Sequence, residues 1–123
     1  MKDTVMVVDD DPMMQLAVKR ILESAGLKVT LAGSGEDCIR EAEKGFEGLI
    51  LMDILMPGMD GWDTIQTLVD KGTVKGNIIC MMTGKESPDN RMKMFKEYIL
   101  DYIPKPIDRQ KLVSLVKDYL SYL

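Results

Sequence analysis

The sequence of 123 residues contains no histidine. Histidine-based zinc triads, Ser-His-Asp catalysis and a phosphohistidine formed within the chain are therefore excluded, because each needs an imidazole. Cysteine is also scarce. Cys38 and Cys80 are the only two, and their spacing suits no metal site, so we expect both to be reduced core residues. No apolar run is long enough to span a bilayer and no charged-then-apolar leader opens the chain, so the sequence predicts a cytoplasmic protein.

Basic residues are in the minority, with 16 Lys and Arg against 20 Asp and Glu and a net charge of −4. Binding to nucleic acid or to a membrane surface would need a basic patch, so neither is an expected partner. The length suits one domain with a single sizeable core, and the composition is that of a soluble globular protein. We therefore predict that residues 1–123 form one domain.

Short apolar runs alternate with helical patterns along the chain. The runs predict five strands, which are Thr4–Val8, Lys28–Ala32, Leu49–Asp53, Ile78–Met82 and Ile99–Ile103. Five helices are predicted to begin after Asp11, Ser34 and Asp60, at Ser87-Pro88, and after Asp108. Strands that alternate with helices form a parallel sheet with helices on both faces, so the sequence predicts an α/β doubly wound sandwich.

Side-chain caps and apolar stripes support these helices. Asp11 before Pro12 has the usual chemistry of a helix start, and Asp60 is predicted to cap the third helix rather than to bind metal. Gly26 is predicted to end the first helix. The first helix is expected to bury the stripe formed by Met14, Ala17, Val18, Ile21 and Ala25.

Reactive side chains follow four of the five predicted strands, namely Asp9 and Asp10, Asp53, Thr83, and Lys105. Parallel strands deliver their carboxyl ends to one edge of a sheet, which is where ligands bind in such folds. Carboxylates about 4 Å apart repel by about 4 kcal/mol at an effective dielectric near 20. Such a cluster must hold a proton, shift its titration or bind a cation, and a few oxygen ligands favour Mg²⁺ (or Mn²⁺).

A metal beside a carboxylate, a lysine and a hydroxyl is suited to phosphoryl transfer. Asp53 can act as the nucleophile and form an acyl phosphate. The metal and Lys105 would neutralise charge on the phosphoryl oxygens, while Thr83 would donate a hydrogen bond. Taken alone, Asp53 could equally be a turn carboxylate at a strand end, so the functional interpretation depends on its neighbours.

The motifs on successive strands resemble the receiver domains of two-component response regulators, in particular the single-domain chemotaxis type. They are Val7-Val8-Asp9-Asp10, Met52-Asp53, Met56-Pro57-Gly58-Met59-Asp60-Gly61, Met82-Thr83-Gly84 and Tyr102-Ile103-Pro104-Lys105-Pro106, in the order and spacing of that family. The resemblance covers essentially the whole chain. It implies a flavodoxin-like (βα)5 fold with strand order 2-1-3-4-5, and no output domain is expected in addition to the receiver.

The resemblance also implies a metal-binding role for each matching acidic residue. Asp53 is the implied phosphoacceptor, and Asp10 and Asp53 are implied to be direct Mg²⁺ ligands. Asp9 would bind the ion through water, and the backbone carbonyl of Leu55 would be a further ligand. The implied reaction is Mg²⁺-dependent transfer of a phosphoryl group to Asp53.

Lys105 is implied to pair with the phosphoryl group, aimed by a cis peptide bond to Pro106. Thr83 and Tyr102 are implied to form a switch, in which the Thr83 hydroxyl turns toward the phosphate and the Tyr102 ring follows inward. A sensor histidine kinase or a phosphotransfer protein would supply the phosphoryl group from a phosphohistidine. A downstream protein would bind the face formed by the fourth helix, fifth strand and fifth helix.

The sequence departs from the family pattern in two places. Receivers usually have a glycine four residues before the switch aromatic, where this chain has Tyr98, so the fourth helix must end without an easy left-handed residue. Leu55 and Lys85 flank the site at positions that vary within the family and influence the lifetime of the acyl phosphate. Because leucine offers no side-chain group to orient a hydrolytic water, we expect slow self-dephosphorylation.

Other functions remain open at this stage. The chain is expected to be a signalling module that is switched by phosphorylation of Asp53, rather than a turnover enzyme. The alternatives are a phosphorelay intermediate and a docking domain that is not phosphorylated. An aspartyl phosphatase needs a second aspartate two residues after the nucleophile, where this sequence has Leu55. A flavodoxin-like electron carrier needs a first loop that holds a phosphate, whereas Asp9-Asp10-Asp11 would repel one.

Overall fold

The computed structural model describes residues 2–84, 94–105 and 108–123, and of Thr83 only the backbone. The strands are β1 (Thr4–Val8), β2 (Lys28–Ala32), β3 (Leu49–Asp53), β4 (Ile78–Thr83) and β5 (Ile99–Pro104). The helices are α1 (Pro12–Ser24), α2 (Gly35–Glu43), α3 (Gly61–Asp70) and α4 (Arg109–Leu120). All five predicted strands are confirmed, and β4 and β5 each extend one residue further than predicted. The helix predicted to begin at Ser87-Pro88 lies mostly outside the described residues, so α4 is the fifth helix of the sequence prediction.

The five strands form one parallel sheet in the order β2-β1-β3-β4-β5, as predicted. The central strand β3 is buried along its whole length. Its residues alternate between two core clusters: Ile50 and Met52 pack with α2 and α3, and Leu49 and Leu51 pack with α1 and α4. This double burial requires the uninterrupted apolar run that identifies β3 in the sequence.

Side-chain oxygens cap the four described helices as predicted. Asp11 accepts from the Met13 N–H at 2.9 Å, and Asp108 accepts from the Lys111 N–H at 3.1 Å. Ser34 accepts from the Asp37 N–H in the same way. At α3 the cap is reciprocal, since Asp60 accepts from the Asp63 N–H and the Asp63 carboxylate accepts from the Asp60 N–H. Each cap satisfies a backbone donor that the first turn of a helix leaves free.

The predicted buried face of α1 is wrong in part. Val18 and Leu22 are the fully buried residues of this helix, although Leu22 was not in the predicted stripe. Ala17, which was in the stripe, is exposed. Val18 and Leu22 are four residues apart, so they share the side of the helix that packs in the core with residues of α4.

A bulge in β5 changes which way its residues face. Ile79 pairs with Ile99 but Cys80 pairs with Asp101, so Leu100 is an extra residue without a partner in β4. Ile99 therefore packs on the α3 side of the sheet and Ile103 on the α1 and α4 side. Strict alternation would have put both isoleucines on the same side.

Cys38 and Cys80 are free and buried as expected, and burial raises the pKa of each thiol to about 12.

Tyr98 closes a tight turn, in which its backbone N–H donates a hydrogen bond to the Phe95 carbonyl at 2.9 Å. Within the described ranges no residue other than glycine has a positive φ, so this turn forms without a left-handed residue. None of the described helices is both long and apolar enough to cross a membrane.

Candidate functional site

Strand register brings the predicted acidic residues to one edge of the sheet. Val8 at the end of β1 pairs with Met52 in β3, so Asp9 and Asp53 follow on neighbouring strands. The Asp9 N–H donates a hydrogen bond to the Ala32 carbonyl at 3.1 Å, which continues the pairing of β1 with β2. Asp53 is the last residue of β3. The predicted convergence at the carboxyl ends of adjacent strands is therefore observed.

Three carboxylates meet at this edge. Asp9, Asp10 and Asp53 each have an oxygen that lies within 4.8 Å of the corresponding oxygens of the other two. Asp9 and Asp53 are buried, whereas Asp10 is exposed. An octahedral Mg²⁺ with bonds of 2.0–2.1 Å needs ligand oxygens about 3 to 4 Å apart. Asp9, Asp10 and Asp53 are therefore the described residues whose oxygens lie close enough together to be candidate ligands of such an ion.

Lys105 lies opposite the carboxylates. Its Nζ donates to Asp9 Oδ2 at 3.1 Å and is 3.2 Å from Asp53 Oδ2. The lysine side chain is 20% exposed, against 4% for Asp9 and 10% for Asp53. The ammonium group, directly after β5, thus forms ion pairs with the buried carboxylates that follow β1 and end β3.

The charges at this site shift the titration of two groups. Burial raises the pKa of the Asp53 carboxyl, which the positive charge of Lys105 opposes and the negative charge of Asp9 reinforces. Desolvation lowers the pKa of Lys105, but its hydrogen bond to Asp9 and the charges of Asp53 and Asp9 outweigh that effect and raise it. When all four groups are ionised, three carboxylates and one ammonium leave a net charge of −2, which favours a divalent cation.

Backbone groups fix the positions of the carboxylates. The Asp11 N–H donates to Asp9 Oδ1 at 3.0 Å, and the Leu55 N–H donates to the Asp53 carboxylate. The start of α3 is held against the end of β3, because the Gly61 N–H donates to the Ile54 carbonyl at 2.9 Å. The Leu55 side chain is 63% exposed beside Asp53, and its carbonyl oxygen stays a predicted ligand.

The structure describes part of the predicted switch. Thr83 ends β4 and its backbone pairs with Pro104, one residue before Lys105, while its side chain lies outside the description. Tyr102 is partly buried, and its hydroxyl is buried without a hydrogen-bond partner among the described residues. Burial raises the pKa of the Tyr102 hydroxyl. The predicted cis bond between Lys105 and Pro106, like Lys85, lies outside the described residues.

Trp62 is a buried neighbour of Tyr102, and none of the sequence motifs at the site includes it. The Trp62 ring stacks on Phe95 with centroids 5.9 Å apart, and it meets the Tyr102 ring at 6.5 Å and 46°. Trp62 is the second residue of α3, directly after the loop that follows Asp53. A helical apolar stripe indicates that Trp62 is buried but cannot show which strand it touches.

A cleft of about 140 Å³ opens on the α1 side of Lys105, and Lys105 forms part of its wall. The other lining residues are apolar, and they are Met14, Ala17, Val18, Ile21, Met82 and Leu112. Of the predicted α1 stripe, Met14 and Ile21 are partly buried and pack against the core while they line this cleft, whereas Ala17 lines the cleft and is exposed. The stem of Lys105 lies against apolar groups while its ammonium reaches the carboxylates.

Comparison with known proteins agrees with this arrangement. A family model described as the response regulator receiver domain matches residues 5–117. A receiver domain protein (CheY-like) from Methanospirillum hungatei JF-1 has 44% identity and a TM-score of 0.92, with 97% of this chain and 94% of that chain covered. Chemotaxis protein CheY4 of Vibrio cholerae, at 23% identity and a TM-score of 0.83 over 96% and 98% of the two chains, shows the fold alone.

Curated relatives differ in length. Transcriptional regulatory protein HprR of Escherichia coli is 31% identical over 116 residues, which are 94% of this chain and 51% of HprR. Protein PilH of Pseudomonas aeruginosa is 26% identical over 117 residues, which are 95% of this chain and 97% of PilH. The chain thus spans about half the length of the first relative and nearly all of the second. Because the family model covers almost the whole sequence, this chain belongs to the response regulator receiver domain family.

Proposed function

We propose that Asp53 accepts a phosphoryl group from the phosphohistidine of a sensor kinase or phosphotransfer protein. Receiver domains interact with sensor kinases and downstream effectors. The observation that carries the proposal is the position of Lys105 Nζ, 3.1 Å from Asp9 and 3.2 Å from Asp53 at the acidic edge of the sheet. Because these 123 residues contain no histidine, the phosphohistidine lies outside them.

The proposed reaction is an in-line displacement at phosphorus. A carboxylate oxygen of Asp53 attacks the phosphorus, the bond from phosphorus to the donor nitrogen breaks, and the imidazole leaves with that electron pair. Lys105 neutralises charge on the phosphoryl oxygens that move in beside Asp53. The chain thereby modifies its own side chain, so we propose a signalling module and not a turnover enzyme.

Mg²⁺ is the proposed cofactor. Asp10 and Asp53 would hold it directly, Asp9 through water and Leu55 through its backbone carbonyl. The bound ion would supply positive charge to the phosphoryl oxygens. The support is the cluster of oxygens within 4.8 Å of one another and their excess negative charge.

The proposed output is a change at the face formed by β5, α4 and the segment that precedes β5. Tyr102 in β5 would couple this face to the site, since it contacts Trp62 near the loop after Asp53. Met94 and Leu100 are 65% and 45% exposed on that part of the chain, which suits contact with a protein. The net charge of −4 favours protein partners over nucleic acid.

Incubation with acetyl phosphate and Mg²⁺ tests the proposed acceptor. We expect the intact mass to rise by one phosphoryl group, because Asp53 displaces acetate from phosphorus. The adduct is expected to be absent from Asp53→Asn and from samples with excess chelator. Asp60 caps α3 and is not part of the acidic cluster. Asp60→Asn keeps an oxygen that can cap the helix, so this variant should form the adduct normally. A phosphoryl adduct on Asp53→Asn would refute the assignment.

Mg²⁺ alone is expected to stabilise the fold. The pKa of Asp53 is higher in the folded protein than its ordinary value of 3.8. Ionised Asp53 therefore lowers the unfolding free energy at pH values above the raised pKa, and this loss is absent below pH 3.8. A divalent cation offsets this cost, so saturating Mg²⁺ at neutral pH should raise the melting temperature by about 5 °C. Asp10→Asn should abolish most of the rise, whereas Asp118→Asn, with the same charge change on α4, should retain it. Equal responses of the two variants would contradict the metal site.

The acyl phosphate is expected to be long-lived because the exposed Leu55 cannot orient a water molecule. Leu55→Asn provides an amide next to Asp53 and should shorten the lifetime roughly tenfold. Removal of the phosphodonor followed by timed intact-mass measurements gives both lifetimes. Leu16→Asn, on the exposed surface of α1, is the matched control. Decay of the wild-type adduct within seconds, without a phosphatase, would show that Leu55 gives no protection.

A further inference from the structure

The bulge at Leu100 turns the next side chain, Asp101, toward α4. Asp101 pairs with Cys80, whose side chain lies in the core beneath α1 and α4. The Asp101 carboxylate accepts a hydrogen bond at each oxygen. Oδ2 accepts from the hydroxyl of Tyr119 in the last turn of α4, and Oδ1 accepts from the backbone N–H of Tyr102 at 2.8 Å.

These two bonds join a helix to the backbone of the proposed switch residue. Tyr119 is 7% exposed, so its ring is held in the core and its hydroxyl has little freedom. Hydrogen bonds to an ionised carboxylate are stronger than those between neutral groups. Burial raises the pKa of Tyr119 and the bond to Asp101 raises it further, so the phenol stays a donor at neutral pH. The planar Asp101 carboxylate is therefore bonded to the Tyr102 backbone through one oxygen and to α4 through the other.

We propose that Asp101 and Tyr119 are positioning residues that couple the backbone of Tyr102 to helix α4. A displacement of Tyr102 then moves the last turn of α4, and a protein bound to α4 biases Tyr102. This inference rests on the proposed role of Tyr102 as the switch. Without the bulge, Asp101 would face the opposite side of the sheet and could not reach Tyr119.

A groove lies between β5 and α4, beside the hydrogen bond between Asp101 and Tyr119. Its volume is about 440 Å³, and Asp101, Tyr102 and Pro104 of β5 form one wall, with Lys111 and Leu115 of α4 among the residues of the other. Because the link joins the two walls, a change in the distance between β5 and α4 changes the shape of the groove. A partner that fills the groove would bind one of the two arrangements more tightly.

Tyr119→Phe tests the link in the unphosphorylated protein, because it removes only the hydroxyl. Amide hydrogen exchange by NMR should show the Tyr102 N–H exchanging roughly tenfold faster, since the carboxylate loses the bond that holds it in place. Tyr122→Phe, three residues further on and 63% exposed, should leave that rate unchanged. A Tyr102 rate in Tyr119→Phe equal to that of the wild type would overturn the proposal, whatever happens at Asp53.

A second measurement distinguishes coupling from a purely structural bond. With the adduct on Asp53, wild-type amide shifts should change both at Tyr102 and in residues 116–120 of α4. Tyr119→Phe should keep the change at Tyr102 and lose most of the change in α4. Asp101→Asn keeps one acceptor oxygen and should retain more of the α4 response than Asp101→Ala. Undiminished chemical-shift changes in α4 of Tyr119→Phe would refute the coupling. Failure to form any adduct would count against the proposed acceptor instead, and the Tyr102 amide exchange rate would then decide whether the coupling exists.

Discussion

Replacement of Lys105 with methionine is expected to slow phosphorylation of Asp53 by about a hundredfold or more. Methionine keeps the length of the side chain and its contact with the apolar cleft, but it removes the ammonium that reaches Asp9 and Asp53. The incoming phosphoryl group would then meet two buried carboxylates without their nearby positive charge. The rate of adduct growth with acetyl phosphate and saturating Mg²⁺ measures the effect.

The same variant is expected to lose about 3 kcal/mol of unfolding free energy in Mg²⁺-free buffer, because it leaves Asp9 and Asp53 without their shared partner. Denaturant unfolding measures this loss. Adding Asp53→Asn to Lys105→Met should recover part of it, since one of the two carboxylates is then neutral. Lys75→Met, at an exposed position in the loop before β4, removes the same charge and serves as the control. It should change neither the unfolding free energy nor the rate of adduct growth. A Lys105→Met protein that is phosphorylated at the wild-type rate would remove Lys105 from the reaction.

A methyl group at Gly61 is expected to lower the unfolding free energy by about 3 kcal/mol. A Cβ there would lie 2.6 Å from the Asp53 carbonyl oxygen, 2.8 Å from Met81 Cε and 3.0 Å from Ile54 Cα. The methionine methyl can move, but the two backbone atoms belong to the end of β3 and its loop. The clash can be relieved only if α3 separates from the strand that positions Asp53. Gly61→Ala should therefore also slow adduct formation under conditions where the protein is folded.

Gly45→Ala is the matched control for this substitution. Gly45 has a φ of +103°, which disfavours alanine, but nothing lies within 4 Å of the added Cβ. The expected cost is about 1 kcal/mol from backbone strain, without an effect on phosphorylation. Denaturant unfolding of both variants separates the two causes. A smaller loss for Gly61→Ala than for Gly45→Ala would mean that the helix start is not tightly packed against Asp53.

Local chemistry accounts for the parts of the fold that the sequence predicts. Strand β3 is identifiable because it is buried on both faces and so carries four apolar residues in succession before Asp53. The caps Asp11, Asp60 and Asp108 are identifiable because each must supply an oxygen one residue before a helix. The site follows from these elements, since parallel strands bring Asp9, Asp53 and Lys105 to one edge.

Features that depend on distant contacts are the ones that sequence patterns miss. Apolar residues surround α1 on more than one side, so their spacing alone does not show that Leu22 is buried and Ala17 exposed; the packing of Val18 and Leu22 in the core beside α4 decides this. The bulge at Leu100 arises because Ile99 and Asp101 pair with consecutive residues of β4, and the residue types of β5 alone do not specify that pairing. The bond between Tyr119 and Asp101 follows from that bulge and is equally hidden.

The contact between Trp62 and Tyr102 also has a practical consequence. Trp62 is the only tryptophan in the chain, so all indole emission comes from this one ring, which belongs to α3 and contacts Tyr102 of β5. Its ring is 3% exposed, which shields it from quenchers dissolved in the solvent. Changes in the intensity or wavelength of that emission therefore report on the surroundings of the Tyr102 ring in unlabelled protein, in real time and at low concentration.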